Sequence, residues 1–424
     1  MDFRAALTRL SVDPGRTLLG LTTSAALVGG HFYGSYWKTV GERKADQQTA
    51  TTLRGENSDL VTEIDRLKEE LAQARSLLSG APFPIPEEFF DYVEKDLGMA
   101  AADRPTANLA TPDQLVDTTE RNLALLYGQD GLGRYEHLLE LMGIIPPGQN
   151  IGAQLAAAQV IETRGLLDFQ SGKILLPADF DEQNPRDAAR LVGLIGAALQ
   201  MSKNPPSLGG FPDQIHAWQA IHHGLALDIS RRFFDRRTAG LPEDKRPAPP
   251  GRNSMRESVL PQFPAAIQTL ANFPLTDGAQ RVNEAYITSR AALRTLLATP
   301  LTSTQPLLVP GQKIAPTAPP KLPEKATVLG PLTLRLFLEP FLSADDTDRF
   351  TTAWQSDQAV LSHANKTASA TWKVRFSDPE VARKFHALIT GQILPNVQEL
   401  QPERAVTATH QDHTVTFQNS PKTP

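Results

Sequence analysis

The stretch Ala188-Ala-Arg-Leu-Val-Gly-Leu-Ile-Gly-Ala-Ala-Leu-Gln200 reads as an apolar helix. A helix that is apolar nearly all round has to be surrounded by other parts of its own chain. A second helix runs through Ala217-Trp-Gln-Ala-Ile-His-His-Gly-Leu-Ala226. Ahead of both, Leu166-Leu-Asp-Phe-Gln-Ser-Gly-Lys-Ile-Leu-Leu-Pro177 reads as a short hairpin, with turn residues between two apolar runs. The order hairpin, helix, helix predicts a buried helical pair at the centre of a mainly α protein.

That order resembles a broad group of exported bacterial and archaeal zinc metallopeptidases of the gluzincin type. In that group the first helix carries HExxH-Ala-Leu-Gln, and the following helix carries Glu-Gly-Asp-Ala. Aligning on Ala198-Leu199-Gln200 puts the first His position at Gly193, the Glu position at Leu194 and the second His position at Ala197. Aligning the second helix on Gly224 and Ala226 puts the third ligand position at His223 and the Asp position at Leu225. Two His four apart on a helix grip one Zn²⁺, and the Glu between them activates the bound water. Glycine and alanine have no donor atom and leucine takes up no proton. The resemblance therefore implies a degenerate zincin-like helical domain with no metal, no cofactor and no catalytic residue, and vestigial zinc positions at Gly193, Leu194, Ala197 and His223. The match spans residues 125–230 and continues into 330–389.

With 424 residues, 40 % of them hydrophobic, the chain is long enough for two compact domains with appendages. A formal net charge of −5 gives no bulk affinity for nucleic acid. The absence of Cys excludes disulfides, thiolate catalysis and cysteine zinc sites together.

The N-terminal part predicts an anchor and a rod. Residues 1–16 form a short tail, and Thr17 to Trp37 contain no Asp, Glu, Lys or Arg, a length that spans a bilayer as a helix. Phe32, Tyr33, Tyr36 and Trp37 fall at its C-terminal end, as an interfacial aromatic belt does. Arg4, Arg9 and Arg16 before the span balance Lys38, Arg43 and Lys44 after it, so charge alone sets no orientation. The exported character of the resembled group implies a single-pass inner-membrane protein with its body outside the cytoplasm.

Residues 38–80 hold the clearest repeat. Asn57, Ile64, Leu71 and Leu78 recur every seven residues, as do Leu60 and Leu67, giving the a and d seams of a parallel coiled-coil dimer. Glu63 and Glu70 at g face Lys68 and Arg75 at e of a parallel partner, and Asn57 at an a position fixes register. The chain is thus expected to self-associate through Asn57, Leu60, Ile64, Leu67, Leu71 and Leu78.

Residues 81–300 read as one helical domain, with helices at Thr111–Tyr127, Tyr135–Met142, Ile151–Ile161, Pro185–Met201, Asp213–Asp235 and Gly278–Leu297. A proline-rich linker is expected over 301–326, and an α+β region over 327–424. In that last region Leu332–Leu342 reads as a helix and Thr371–Phe376 as a strand. Ser377-Asp-Pro-Glu380 reads as a capping box opening a helix to Ile389, and Arg404–Phe417 as a hairpin turning at Gln411-Asp412.

Among other groups, His216 and His223 lie about 10 Å apart along a helix axis, too far for one ion, and His222 projects about 100° away from His223. Arg231, Arg232, Arg236 and Arg237 read as a solvated helix end. The function expected from these features is that of a non-catalytic, membrane-anchored pseudopeptidase, a scaffold or adaptor for a protein partner in the cell envelope. The alternatives are a hydrolase using other residues of the same cleft, with His223 and an acid from another element, and a purely structural spacer.

Overall fold

The computed structural model describes residues 58, 61–63, 66, 79–98, 104–162, 164–251, 254–309, 322–323, 325–364 and 367–422. The expected membrane span Thr17–Trp37 and the coiled-coil seam at Asn57, Leu60, Ile64, Leu67, Leu71 and Leu78 lie outside the described residues. No helix among the described residues is long and apolar enough to cross a membrane.

Two compact units are present. The described part of the first takes in residues 79–83, 108–115 and 177–179, where β1 (Pro82–Phe83) and β2 (Ala107–Ala110) are tied by Gly80 N to Leu109 O at 2.8 Å and Leu109 N to Ala81 O at 2.9 Å. The second comprises 84–107, 116–176 and 180–424.

In chain order the second unit begins with α1 (Glu87–Leu97), most of α2 (Pro112–Tyr127), α3 (Gly131–Leu141) and α4 (Ile151–Glu162). The hairpin β3 (Leu166–Leu167) and β4 (Ile174–Pro177) follows, with Leu166 opposite Leu175 and Leu167 opposite Ile174. Then come α5 (Pro185–Lys203) and α6 (Pro212–Thr238), the buried pair that the apolar pattern predicts. Asn184 caps α5 by accepting from Arg186 N, with Pro185 pre-set at the first helical position.

Beyond them lie α7 (Ser254–Val259), α8 (Ala265–Asn272), a π turn (Pro274–Gly278), α9 (Ala279–Thr288), α10 (Arg290–Ala298) and α11 (Gln305–Leu308). The single helix expected over Gly278–Leu297 is two, because Ser289 is extended and its hydroxyl caps α10 at Ala292 N. Residues 301–309, expected within a linker, are packed instead. Leu301, Leu307 and Leu308 are buried and Thr304 is fully so. Residues 310–321 lie outside the described residues.

Towards the C-terminus the unit continues with β5 (Ala326–Thr327), α12 (Gly330–Leu338), α13 (Ala344–Ala353), β6 (Trp354–Ala364), β7 (Thr367–Phe376), α14 (Pro379–Leu388), α15 (Leu394–Leu400), β8 (Arg404–Gln411) and β9 (Thr414–Pro421). The strands form one antiparallel sheet in the order β5-β6-β7-β9-β8. Trp372, Val374 and Phe376 of β7 point to the buried face while Lys373 and Arg375 are exposed, the period-two pattern of a half-covered strand. Phe337 of α12 packs edge-on against Trp372 at 5.3 Å and Phe417 at 5.8 Å, and Phe385 of α14 against Phe376 at 5.0 Å.

Two local expectations shift. The cap of α14 is Asp378, which accepts from Glu380 N, rather than Ser377, and Glu380 pairs with Arg383. The last hairpin turns at Asp412-His413, with Gln411 opposite Thr414 and Asp412 at φ 52°. Arg232 also departs from the solvated role. It bonds Asp96 at 2.6 Å, pairs with Asp228, and lies 3.8 Å from the Tyr286 ring centroid.

The helices α5 and α6 approach each other closely at Gly193. A Cβ at Gly193 would collide with the Ala226 carbonyl oxygen and Ser230 Oγ, and Ser230 Oγ itself donates to that carbonyl at 2.7 Å. Neither obstacle is the far end of a flexible chain, so Gly193→Ala must push the helices apart. The expected loss is about 2 kcal/mol in unfolding free energy, measured by urea titration, with retained helical circular dichroism. A loss below about 0.5 kcal/mol would refute the tight crossing.

Candidate functional site

The crossing at Gly193 places the next turn of α5 beside the preceding turns of α6. Leu194 and Ala197 of α5 face Gln219, His222, His223 and Ala226 of α6 around a cavity of about 30 Å³, enough for a water or two or a group of carboxylate size. Asn122, Leu123 and Leu126 of α2 and Leu167 and Phe169 of the hairpin close its other side. Asn122 holds the hairpin there, donating to Leu167 O at 2.8 Å and accepting from Phe169 N at 3.0 Å.

A second cavity of about 40 Å³ adjoins it, walled by Leu155 and Ala158 of α4, His216 of α6, Leu270 and Ala271 of α8, and Pro274 and Leu275 of the π turn. Gln159, Arg190, Gln219 and His223 line both spaces.

Of the positions that the sequence resemblance aligns with a zinc site, Leu194, Ala197 and His223 share the first cavity, whereas Gly193 sits at the helix contact beside it. The donor set does not suit zinc, since two of these residues are aliphatic and one has no side chain. Among the described residues no three His, Cys, Asp or Glu side chains group so as to hold a metal ion. His222 and His223 come closer than their helical directions imply, with ring centroids 5.2 Å apart. Backbone spacing sets where the Cβ bonds point, but side-chain torsions bring the rings together.

Burial sets the charge state here. His222 stacks on Trp218 at 4.5 Å and its Nδ1 lies 3.0 Å from Gln200 Oε1. Desolvation, with His223 and Arg190 nearby, holds His222 well below the usual imidazole range. Desolvation pushes His223 down to about 4, with Arg190 adding to the effect, and pushes His216 down to about 4 by itself. All three are neutral at pH 7. Arg190 is pushed down to about 10 by burial and remains a cation there. Its Nη2 reaches Gly165 O at 3.4 Å and its Nε is buried with no hydrogen-bond partner.

A separate polar cluster joins the helices to the sheet. Asp213 Oδ1 accepts from Thr304 N at 2.8 Å and Thr304 Oγ1 at 2.6 Å, while its Oδ2 is buried without a partner. Asp357 accepts from Trp372 Nε1 at 2.7 Å and from the Leu329 and Gly330 amides at the start of α12. Gly330 has φ 80°, and a Cβ there would strike Asp213, so only glycine fits. Beside this cluster, His216 Nε2 lies 3.3 Å from both Tyr127 and Tyr135 hydroxyls, and Tyr135 reaches Thr333 Oγ1 at 3.3 Å.

Arg190, Asn122, Gln159 and Gln219 were not singled out from the sequence, nor was the Asp213–Asp357 cluster. Arg190 had a legible signal, being the one charge between Ala188 and Gln200. The others come from distant segments with no shared motif.

No family model, no curated protein and no solved structure matches this chain.

The buried groups give opposed pH dependences. Desolvation pushes Asp213 up to about 6, against hydrogen bonds from Thr304, and Asp357 up to about 7, against the Trp372 bond. Their folded state keeps protons that the unfolded chain releases, so stability from this source is full below pH 3.8 and is lost as pH rises through 7. The histidines act the other way, with stability present above pH 6.5 and lost as pH falls towards 4. Replacing Asp357→Asn removes one of these titrations. Relative to the parent, the variant is expected to gain about 1 kcal/mol in unfolding free energy between pH 6 and pH 8. A constant difference between the two proteins across that range would refute an Asp357 carboxyl that titrates near neutrality.

Proposed function

We propose that this chain is a non-catalytic, membrane-anchored scaffold or adaptor whose helical body holds a polypeptide partner at the cell envelope. The body is a gluzincin-like domain without zinc or base, extracytoplasmic and tethered by Thr17–Trp37. Two copies associate through the heptads ending at Leu78. The observation that carries the reading is the lining of the cavity between α5 and α6. Where a peptidase of the resembled type needs ligands and a base, Leu194 and Ala197 are inert, and among the described residues no acidic side chain lines either cavity. His223 alone is a weak base at neutral pH when its pKa is held near 4, far from the operating range of general-base catalysis. A partly apolar cleft with one cation, Arg190, and a few polar groups is suited to binding.

Hydrolysis by other residues of the same cleft, with His223 and a supporting acid, finds no acid in the lining to orient the imidazole.

Elemental analysis of the purified full chain, combined with a mixed-peptide hydrolysis assay, is expected to find no stoichiometric zinc and no cleavage. Zinc bound one to one, or turnover abolished by His223→Ala, would overturn the pseudopeptidase reading. For self-association, Ile64→Pro is expected to convert dimers into monomers by light scattering while the melting of the globular part stays unchanged. Dimers retained by that variant would remove the coiled coil from the proposal.

A further inference from the structure

Arg190 is a cation without a counter-charge. Among the described residues it makes no salt bridge, and its sole hydrogen bond is the long one to Gly165 O. A guanidinium has five N–H donors. Arg190 is half-buried with its Nε fully shielded, and partly withdrawing such a group from water without a matching anion is costly. Here the missing partner has a place to sit, because Arg190, with Gln159, Gln219 and His223, lies where the two cavities meet.

We infer that Arg190 anchors a binding site for a carboxylate carrying a short apolar group. The planar two-oxygen head matches the guanidinium fork in a bidentate pair. The Gln219 amide and one N–H of the neutral His223 ring supply further donors at the same junction. Space decides against larger anions, since cavities of about 30 and 40 Å³ admit a carboxylate and a few methylene groups. Composition favours an apolar tail, because beside the polar groups each cavity has aliphatic or aromatic wall, with Leu126 and Phe169 in one and Leu155 and Leu270 in the other. Phosphate, with its higher charge and four oxygens, would meet a single cation and apolar walls. The site deepens the binding role proposed above and rests on it only in taking these cavities as the place where a ligand is held.

The carboxylate has two sources, a free short-chain acid or the C-terminus of a polypeptide ending in an apolar residue, and one experiment separates them. The full chain is titrated by calorimetry and thermal melting with butyrate, with N-acetyl-alanyl-leucine, with the amide of that dipeptide, and with inorganic phosphate at matched ionic strength. Expected are saturable binding and a raised melting temperature with the dipeptide acid, and at least a tenfold weaker response with its amide and with phosphate. Arg190→Met is expected to abolish the response while the unliganded variant melts no lower than the parent, because an unpaired, half-buried charge has gone. Arg190→Gln serves where the methionine variant does not fold. Butyrate binding without dipeptide binding supports the carboxylate site and counts against the polypeptide partner. Equal responses to acid and amide, a phosphate response as strong as the acid's, no binding of either acid, or binding indifferent to Arg190, would each overturn the inference.

Discussion

The contact on which the helical core depends is the crossing of α5 and α6 at Gly193. With no side chain there, the Ala226 carbonyl and Ser230 hydroxyl lie directly against the α5 backbone. That distance sets everything one turn away. Leu194 and Ala197 are brought to the same wall as His223 and Ala226, around a cavity of about 30 Å³. An apolar helix has no other way to be stable than to be enclosed, and α5 is enclosed by α6 on one side and by α1, the hairpin and α10 elsewhere. The position that fixes the packing is also the one where the resembled peptidases would place a zinc ligand. A histidine there is sterically excluded, not merely absent.

Charge in this core follows from the same tight packing. His216 and His222 are buried and His223 is half-buried beside Arg190, so they stay neutral, and the imidazoles serve as hydrogen-bonding and stacking groups. Asp213 and Asp357 show the opposite sign of the same effect, holding protons towards neutrality while they gather amides and hydroxyls from α11, α12 and β7. This cluster explains why residues 301–309 belong to the body. Thr304 is a ligand of a buried carboxylate, and a segment that satisfies such a group cannot hang free without leaving it unpaired.

The sequence made some of this legible and hid the rest for physical reasons. Helices with strong apolar spacing, such as Ile151–Glu162 and Pro185–Lys203, and the alternating strand around Trp372 stand where periodicity placed them. Boundaries moved where one local hydrogen bond decides, as at Ser289 and Asp378. The strand β6 was missed because Trp354-Gln-Ser-Asp-Gln has no clean alternation and begins at a bulge against β7. Site residues fared worse. Cavity walls are assembled from α2, α4, the hairpin, α5, α6, α8 and the π turn, and no spacing along a chain encodes a meeting of seven segments.

Arg190 is where those two lessons meet. Along the sequence it interrupts an apolar run without changing the helical pattern, and helical propensity gives no reason to notice it. In space it is, among the described residues, the only charged side chain on either cavity. A hydrophobic residue of similar volume would pack at the same point at lower cost, since replacing buried charges by apolar side chains is often neutral or stabilising. Folding alone therefore gives no account of an arginine at this position. A guanidinium that the protein leaves unpaired is a group that can pair with something from outside, and its place at the junction of two small apolar-walled spaces determines what that something must look like.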